Sequence, residues 1–301
     1  MKKLTLIALL TFFLSPLSYG QDFWSYWGDG KAELSGYTIT QPRYGQNRTG
    51  KAVMIFVTED HSLKERVKIE GDSTNIPANQ RYSVLKLNFL KTFQTGIYDY
   101  KVMSSVFSQI DKNMEPSRIS LSVQEWCGHV FDQVVSDGKK VTQSLHSYFG
   151  GEADQNNQFT IPNNLIYEDS LPILMRELNS EWLKKGETKE AVSVPMLLSL
   201  RFTHKPFEFG KVRVTKSAES EIITTALGKK ETTKWLIDST HFGQYTYWIE
   251  KQWPKRILRW KSSQGESGEI TGTTRLPYWS LNANGDEKNL SLLFPREIQK
   301  K

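Results

Sequence analysis

Cysteine is nearly absent from this sequence, because Cys127 is the only one among 301 residues. A single thiol cannot form an internal disulfide, and it excludes a zinc site made of several cysteines. The motifs HExxH, GxSxG, GxGxxG and GxxxxGKS are missing as well. They are typical of zinc proteases, α/β-hydrolases, dinucleotide-binding proteins and P-loop NTPases. We therefore expect neither a metal nor a cofactor, and a non-enzymatic role is favoured.

Long hydrophobic runs are confined to the N-terminus. The first residues, MKKLTLIALLTFFLSPLSYG, place two lysines before an apolar run from Leu4 to Leu14, followed by the helix breaker Pro16 and the small residues Ser18 and Gly20. This order is typical of a secretory signal peptide that is cleaved after Gly20. The run is about half the length that spans a bilayer. We expect a periplasmic or secreted protein with no transmembrane segment after signal cleavage.

A strong excess of either charge is also missing. The formal net charge is +6, and it becomes +4 when the two lysines of the signal peptide are removed. The remaining basic residues lie scattered in singles and pairs, without the clustered stripe that is typical of nucleic-acid-binding surfaces. We therefore expect no nucleic-acid partner.

Alternating apolar and polar residues are what the chain has in abundance. SVLKLNFLKTF places Leu85, Leu87 and Phe89 on one face, and RISLSVQEW places Ile119 and Leu121 in the same way. The segments KAVMIFVTED, YDYKVMSSVF and AVSVPMLLSLRF are also predicted strands. Near the end, QYTYWIEKQWPKRILRWKSSQGESGEITGTTRLPYW indicates three strands joined by a Trp-Pro turn and a Gly-rich turn. This pattern is typical of antiparallel strands with one solvated face.

One segment has helical periodicity instead. In EDSLPILMRELNSEWLKKGE, apolar residues recur at spacings of three and four, which predicts one main helix over about 170–185. The fold class that follows is mainly β, an antiparallel curved sheet or incomplete barrel with this helix packed on or in it. After the signal peptide, 1–20, we expect one β-rich domain, 21–301. A division into two halves, 21–149 and 160–301, joined by the polar GGEADQNNQF, is the alternative.

The C-terminal stretch WIEKQWPKRILRWKSSQGESGEIT resembles the closing hairpins of periplasmic β proteins of the lipoprotein-carrier type. In those proteins a tryptophan-containing strand precedes a proline turn, and the next strand returns along the same face. The resemblance implies an incomplete barrel that holds a helix. In the carriers it also implies an apolar cavity for acyl chains.

The mature chain also looks like a group of uncharacterised secreted bacterial proteins, through WGDGKAELSGY, AVMIFVTED, TGIYDYKVMSSVF and SVQEWCGHVF. Some members of that group carry the label septum formation inhibitor Maf. Genuine Maf proteins are cytoplasmic nucleotide pyrophosphatases with a basic Ser-Pro-Arg-Arg type motif. That motif is missing here, and a signal peptide contradicts the compartment, so the residues do not support the label.

The surroundings of the lone cysteine permit a catalytic hypothesis. If one strand continues through SVQEWCGHVF, then Glu125, Cys127 and His129 project from one face. The histidine could lower the thiol pKa, which is how a Cys-His nucleophile is generated. However, residues two apart on a strand lie about 7 Å apart, whereas a nucleophile and its base need atoms about 3 Å apart. We favour a packed, inert thiol and keep the three residues as candidates.

Aromatic residues supply the candidate ligand-binding positions. The chain has nine tryptophans, and Trp248, Trp260 and Trp279 belong to the C-terminal hairpins. Such side chains could line an apolar cavity, and core packing is the alternative for each of them.

These features predict an exported, non-catalytic binding or carrier module for an apolar ligand such as a lipid, or for an envelope partner. Two alternatives stay open. One is a thiol-dependent hydrolase or transferase that uses Cys127 and His129. The other is a structural interaction protein of the cell envelope, which would show an exposed apolar patch.

Overall fold

The structure is a computed structural model that describes residues 19–71 and 75–295. The predicted signal peptide therefore lies almost entirely outside the described residues. The chain enters the fold through helix α1 (Tyr19–Trp27), whose Phe23 and Trp27 are buried. Within the described ranges, none of the helices combines the length and apolarity needed to cross a bilayer.

Fifteen strands and three short α-helices make up the described chain. The first eight strands are β1 (Ala32–Arg43), β2 (Gln46–Ser62), β3 (Arg81–Thr95), β4 (Tyr98–Gln109), β5 (Glu115–Glu125), β6 (Gly128–Ser136), β7 (Lys140–Ser147) and β8 (Gln155–Thr160). The remaining elements are β9 (Leu165–Tyr167), α2 (Leu171–Leu174), β10 (Thr188–Val194), α3 (Leu197–Thr203), β11 (Gly210–Thr225), β12 (Gly228–Ser239), β13 (Gly243–Glu250), β14 (Ile257–Ser262) and β15 (Ser267–Leu276). Short 3-10 turns lie at Ala78–Gln80, Ile110–Lys112, Glu168–Ser170, Tyr278–Ser280 and Asp286–Leu292.

All fifteen strands belong to one open sheet, in the order β8-β7-β6-β5-β4-β3-β2-β1-β15-β14-β13-β12-β11-β10-β9. Every neighbouring pair is antiparallel except β9 and β10. Strand β1 joins the two halves of the sheet, because β2 pairs with one of its edges and β15 with the other. The mainly β, antiparallel class predicted from the alternation is confirmed. The division into separate halves stays a prediction.

The sheet curves so that its two halves enclose one core. Strands β3 and β14 are four positions apart in the sheet, about 19 Å if the sheet were flat. Nevertheless the rings of Phe89 on β3 and Trp260 on β14 lie 5.6 Å apart. Phe202 of α3 also packs edge-on against Phe93 of β3, with ring centroids 6.4 Å apart. Helix α3 therefore contributes to this shared core.

The predicted helix over about 170–185 is largely wrong. The helical part is one turn, α2, preceded by the 3-10 turn. Glu177 then takes a left-handed conformation with φ of 46°, and its carboxylate accepts the backbone N–H groups of Trp182 and Leu183. Arg176 is fully buried and donates to the carbonyls of Lys255 and Pro254. The apolar residues recur at helical spacing because they are buried in several directions, not on one helix face.

The predicted strand AVSVPMLLSLRF is also only half correct. Strand β10 ends at Val194, and after Pro195 the chain turns into helix α3. A short apolar run can be buried as a helix or as a strand. The sequence pattern of this segment therefore does not distinguish the two. The predicted segments of β2, β3, β4 and β5 and the C-terminal meander of β13, β14 and β15 are confirmed.

Two glycines face each other where the two halves meet. Gly36 of β1 pairs with Gly272 of β15, and the backbone of Leu292 and Leu293 lies directly on them. Thr271 donates its hydroxyl to the Leu293 carbonyl at 2.6 Å. The side chain of Leu293 is buried in a small second apolar cluster on this outer face. Because Gly36 and Gly272 have no Cβ, the C-terminal segment around Leu292 and Leu293 can lie directly on the junction of β1 and β15.

We expect Gly272→Ala to destabilise the protein by about 1–3 kcal/mol, the usual cost of overpacking. A Cβ at this position would lie 2.2 Å from the Leu292 carbonyl oxygen, so the C-terminal segment must move. Urea unfolding measures the change. Gly150→Ala is the matched control, because no atom lies within 4 Å of its added Cβ. Equal stability of the two variants would contradict this packing.

Candidate binding site

A cavity of about 260 Å³ opens beside α3. Two other cavities are larger in volume, and we call this one the main cavity because its lining combines aromatic and polar side chains. One wall is α3, and the others are the turn between β1 and β2 and the turn between β14 and β15. Its lining combines aromatic rings with amides, hydroxyls, a guanidinium and a carboxylate. The lining residues are Gln41, Pro42, Arg43, Tyr44, Gly45, Met196, Leu198, Ser199, Phe202, Thr203, Phe242, Tyr245, Ser262, Gln264 and Glu266.

A smaller cavity lies next to the main cavity, between the two halves of the sheet. Its volume is about 30 Å³, which is room for about one or two waters. Met196, Leu198, Tyr245 and Glu266 line both spaces. The inner walls add apolar residues of β3 and β4 and the buried carboxylate of Asp169. A ligand in the main cavity would therefore meet carboxylates at the inner end of the site.

Glu266 forms the central ion pair of this site. Its Oε1 lies 2.7 Å from Nζ of Lys91, and Lys91 is 4% exposed. The same oxygen accepts the indole N–H of Trp260 at 3.1 Å, and Oε2 accepts the hydroxyl of Tyr245 at 2.8 Å. Burial raises the pKa of Glu266, but the charge of Lys91 and these hydrogen bonds outweigh it, and the pKa ends below its ordinary value. Glu266 is therefore a carboxylate at neutral pH.

The two tyrosines nearest Glu266 on β13 stay neutral over the accessible pH range. Burial and then the charge of Glu266 raise the pKa of Tyr245 and of Tyr247 well above the ordinary value. Their rings stack at 6.0 Å. The hydroxyl of Tyr245 is thus fixed as a donor to Glu266, which leaves its ring available as an apolar surface of the cavity.

Asp169 and Glu168 hold α3 in place behind the cavity. Oδ2 of Asp169 accepts the N–H of Leu197, the first residue of α3, at 3.0 Å. Oδ1 accepts the hydroxyl of Ser104 at 3.2 Å. Glu168 is fully buried and accepts the hydroxyls of Ser193 and Ser239 at 2.8 and 2.6 Å. These carboxylates join α3 to both halves of the sheet.

The predicted catalytic residues lie elsewhere, at one end of the first half of the sheet. Glu125 pairs with Gly128 across β5 and β6, so Trp126 and Cys127 form the turn between the strands. The condition on which the catalytic hypothesis depends, one strand through these residues, is therefore not met, because the chain reverses before His129. The expectation of a packed thiol is also wrong, because Cys127 is exposed.

Glu125 disfavours the reactive thiolate form of Cys127 at this turn. Its Oε2 accepts the N–H of Cys127 at 2.8 Å. A hydrogen bond from the thiol to Glu125, and then the negative charge of that carboxylate, raise the pKa of Cys127. In the described part of the chain, no hydrogen bond joins Cys127 to His129. The thiol-dependent mechanism stays a prediction, and this geometry favours the thiol over the thiolate.

The predicted aromatic ligand residues do not come together. Trp260 is buried, and its hydrogen bond to Glu266 places it beside the main cavity. Trp248 instead donates to Glu221 at 3.0 Å on the other face of the sheet. Trp279 is half exposed on a 3-10 turn. Ligand binding by these three residues stays a prediction.

Sequence reasoning missed Lys91, Glu266 and Asp169. A signal for Lys91 was present, because it continues the inward face of Leu85, Leu87 and Phe89. A lysine on an apolar strand face needs a partner. Its partner Glu266 lies in a distant turn, which no local pattern reveals. Asp169 has the sequence context of a helix cap, and it does bond the start of a helix, but that helix is α3.

Comparisons with known proteins add little to this geometry. No family model matches the chain, and no curated protein is significantly similar to it. A solved structure from Bacteroides fragilis, described as a "putative exported protein with YmcC-like fold", is similar over 80% of this chain and 95% of its own, with 9% identity and a TM-score of 0.22. The two chains superpose poorly at that score, so the likeness supports no statement about function. The Maf-labelled group and the carrier resemblance stay predictions.

We expect Lys91→Met to destabilise the protein by about 3–5 kcal/mol, because it leaves the Glu266 carboxylate buried without its cation. Adding Glu266→Gln to that variant should recover much of the loss, since no buried charge then remains. Urea unfolding of the two single variants and the double variant gives the interaction free energy between Lys91 and Glu266. The exposed pair of Lys251 and Glu231 is the control, and Lys251→Met should cost less than about 1 kcal/mol. Additive losses at Lys91 and Glu266 would contradict a paired buried charge.

We expect Asp169→Asn to stabilise the folded protein by an amount that depends on pH. Burial raises the pKa of Asp169 from 3.8 to about 7, and the hydrogen bond from Leu197 lowers it only in part. An acid with a raised folded pKa loses stability as pH rises from its unfolded to its folded pKa. Asparagine does not ionise. The unfolding free energy of the variant, relative to that of the wild type, should therefore rise between pH 4 and pH 7 and stay constant above about pH 8.

The measurement for Asp169 is urea unfolding of both proteins from pH 4 to pH 8.5. The difference in unfolding free energy should be small at pH 4 and reach a few kcal/mol at high pH. A difference that does not change with pH would show that Asp169 is ionised throughout in the folded protein.

Proposed function

We propose that this chain is an exported, non-catalytic binding protein and that the main cavity is its binding site. The observation that carries the proposal is a cavity of about 260 Å³ with both aromatic and hydrogen-bonding walls. Binding sites for small molecules usually have a mainly apolar lining with a few placed polar groups. Export rests on the signal peptide predicted from the sequence.

The lining favours a small ligand rich in hydroxyl groups, such as a saccharide, over an acyl chain. Gln41 and Gln264 offer amide donors and acceptors, and Glu266 offers a carboxylate. The rings of Phe202 and Tyr245 offer flat apolar surfaces of the kind that pack on a sugar face. An acyl chain against Glu266 would remove the remaining solvent from a charged group without giving it a hydrogen bond, which is costly.

Arg43 strengthens this proposal at the mouth of the cavity. Its guanidinium lies 4.5 Å from the ring of Tyr44 and 4.6 Å from the ring of Phe202. One Nη donates to the Phe202 carbonyl at 3.1 Å. These contacts hold the mouth in one arrangement before any ligand arrives, and a preorganised site costs less conformational entropy on binding.

Saturation-transfer NMR with a panel of mono- and disaccharides tests the proposal. We expect at least one saccharide to bind, and Thr203→Trp to weaken its binding at least tenfold, because Thr203 is exposed at the mouth and a tryptophan there fills the entrance. Thr92→Trp is the size-matched control on an exposed position outside the cavity. Both variants should keep the wild-type stability.

A competing result would replace the polar ligand with an apolar one. If palmitate binds with a one-to-one stoichiometry and Thr203→Trp blocks it, while all saccharides fail, the cavity is a lipid site and the hydroxyl-rich ligand is wrong. If neither class binds, the main cavity is not a binding site for either.

A second candidate function is an interaction role at the end of the sheet that holds Cys127. Large apolar side chains are exposed there on neighbouring hairpin tips, namely Ile97, Trp126 and Tyr148. The rings of Tyr98 and Trp126 lie 6.4 Å apart, and Tyr148 packs over Gly128, so the tips form one surface. A contiguous exposed apolar patch is typical of interaction sites.

A further inference from the structure

A second cavity of about 160 Å³ lies on the other side of α3, and we call it the second cavity. Ser199, Phe202 and Thr203 of α3 line the main cavity, whereas Leu200 and Arg201 line the second one. The two spaces share no lining residue, so a function of the second cavity does not depend on the proposed function of the first.

Asp132 places a buried carboxylate in the second cavity. It is 4% exposed, and Oδ1 accepts the side-chain amide of Gln143 at 2.9 Å. Gln143 is oriented in turn, because its oxygen accepts the amide of Asn157 at 2.9 Å. Among the described residues, no lysine, arginine or histidine lies within ion-pair distance of Asp132. Burial raises the pKa of Asp132 to about 6, although the hydrogen bond from Gln143 lowers it.

Arg201 places a buried guanidinium in the same cavity. The residue is 6% exposed, and its guanidinium lies 4.2 Å from the ring of Phe149. Nη1 is 3.4 Å from Nδ1 of His204 and 3.9 Å from a carboxylate oxygen of Glu152. Its Nε has no hydrogen-bond partner in the described structure. A buried guanidinium N–H without a partner is costly, so this group has capacity for a further acceptor.

Asp132 and Arg201 face one cavity without forming an ion pair across it in the described structure. Opposite charges that are both buried gain most by direct contact, yet these two line the same open space of about 160 Å³ without an ion pair between them. An anionic ligand alone would be repelled by Asp132, and a cationic ligand alone by Arg201. A ligand that carries both charges would satisfy both groups at once.

We propose that the second cavity binds a small zwitterion, a free α-amino acid with an aliphatic side chain. Asp132 receives the ammonium group, and Arg201 receives the carboxylate with help from the neighbouring Lys205 at the rim. Val130, Leu145, Leu200 and Phe207 supply the apolar part of the lining, which suits a branched hydrocarbon side chain. The small volume excludes a peptide of several residues.

Calorimetry and thermal unfolding with three related probes test this proposal. L-valine carries both charges, isovalerate lacks the ammonium group, and isobutylamine lacks the carboxylate. We expect L-valine to bind and to raise the unfolding temperature. Each single-charge probe should bind about 10- to 100-fold more weakly, the loss expected for one hydrogen-bonded charge.

Two variants connect the binding to the named side chains. Asp132→Asn and Arg201→Gln should each weaken L-valine binding at least tenfold, whereas Asp238→Asn, at an exposed position outside the second cavity, should leave it unchanged. Asp132→Asn should also move the urea midpoint of the unliganded protein upward at pH 8, because it removes a buried carboxylate without a cation. That gain separates lost binding from lost folding.

Three outcomes would overturn the proposal. If L-valine at 10 mM, isovalerate and isobutylamine all leave the unfolding temperature unchanged, the second cavity does not bind an aliphatic amino acid. Isovalerate or isobutylamine could bind as tightly as L-valine, which would show that one charge suffices. Retained L-valine binding in a folded Asp132→Asn variant would place the ligand elsewhere.

Discussion

The pairing of β1 with β15 is the constraint on which the rest of the structure depends. It joins an eight-strand meander to a seven-strand one, so that a single sheet can curve around one core. Gln41 of β1 and Glu266 of the turn before β15 line the main cavity, and Lys91 of β3 pairs with Glu266, so the site draws on both sides of this junction. Loss of the pairing would separate the aromatic contacts and the buried ion pair together.

The strands were predictable because their side-chain pattern is local. Strands such as β5 and β6 bury alternate residues, so a period of two in the sequence predicts their inward face, whereas β1 and β2 are buried in continuous runs. The helix over 170–185 was not predictable in the same way. Its apolar residues are buried on several sides, and Arg176 and Glu177 bond to distant backbone groups and to Lys216. Tertiary contacts there override the local preference, and α3 follows a proline that the alternation did not resolve.

The candidate sites were less predictable than the fold, since they consist of polar residues far apart in the chain. Lys91 and Glu266 are 175 positions apart, and Asp132 lies on strand β6 whereas Arg201 lies on helix α3. Cys127 was conspicuous in the sequence because it is unique, but uniqueness carries no geometric information. The informative positions were ordinary charged residues at places where a strand or helix turns its inner face to the core. One seven-residue helix, α3, separates the two cavities and contributes to both.

The position of β1 in the centre of the sheet has a consequence for the order of folding. Ser35 and Thr273 are in contact across 238 positions of the chain, so this junction has a very high contact order and closes a very large loop. During synthesis, β1 to β8 can pair in the order in which they emerge. The edge of β1 that pairs with β15 stays unpaired until β15 has been made. One edge of the first strand made therefore stays unpaired until the last strand is complete. An unpaired strand edge of this kind is a template for pairing with another chain.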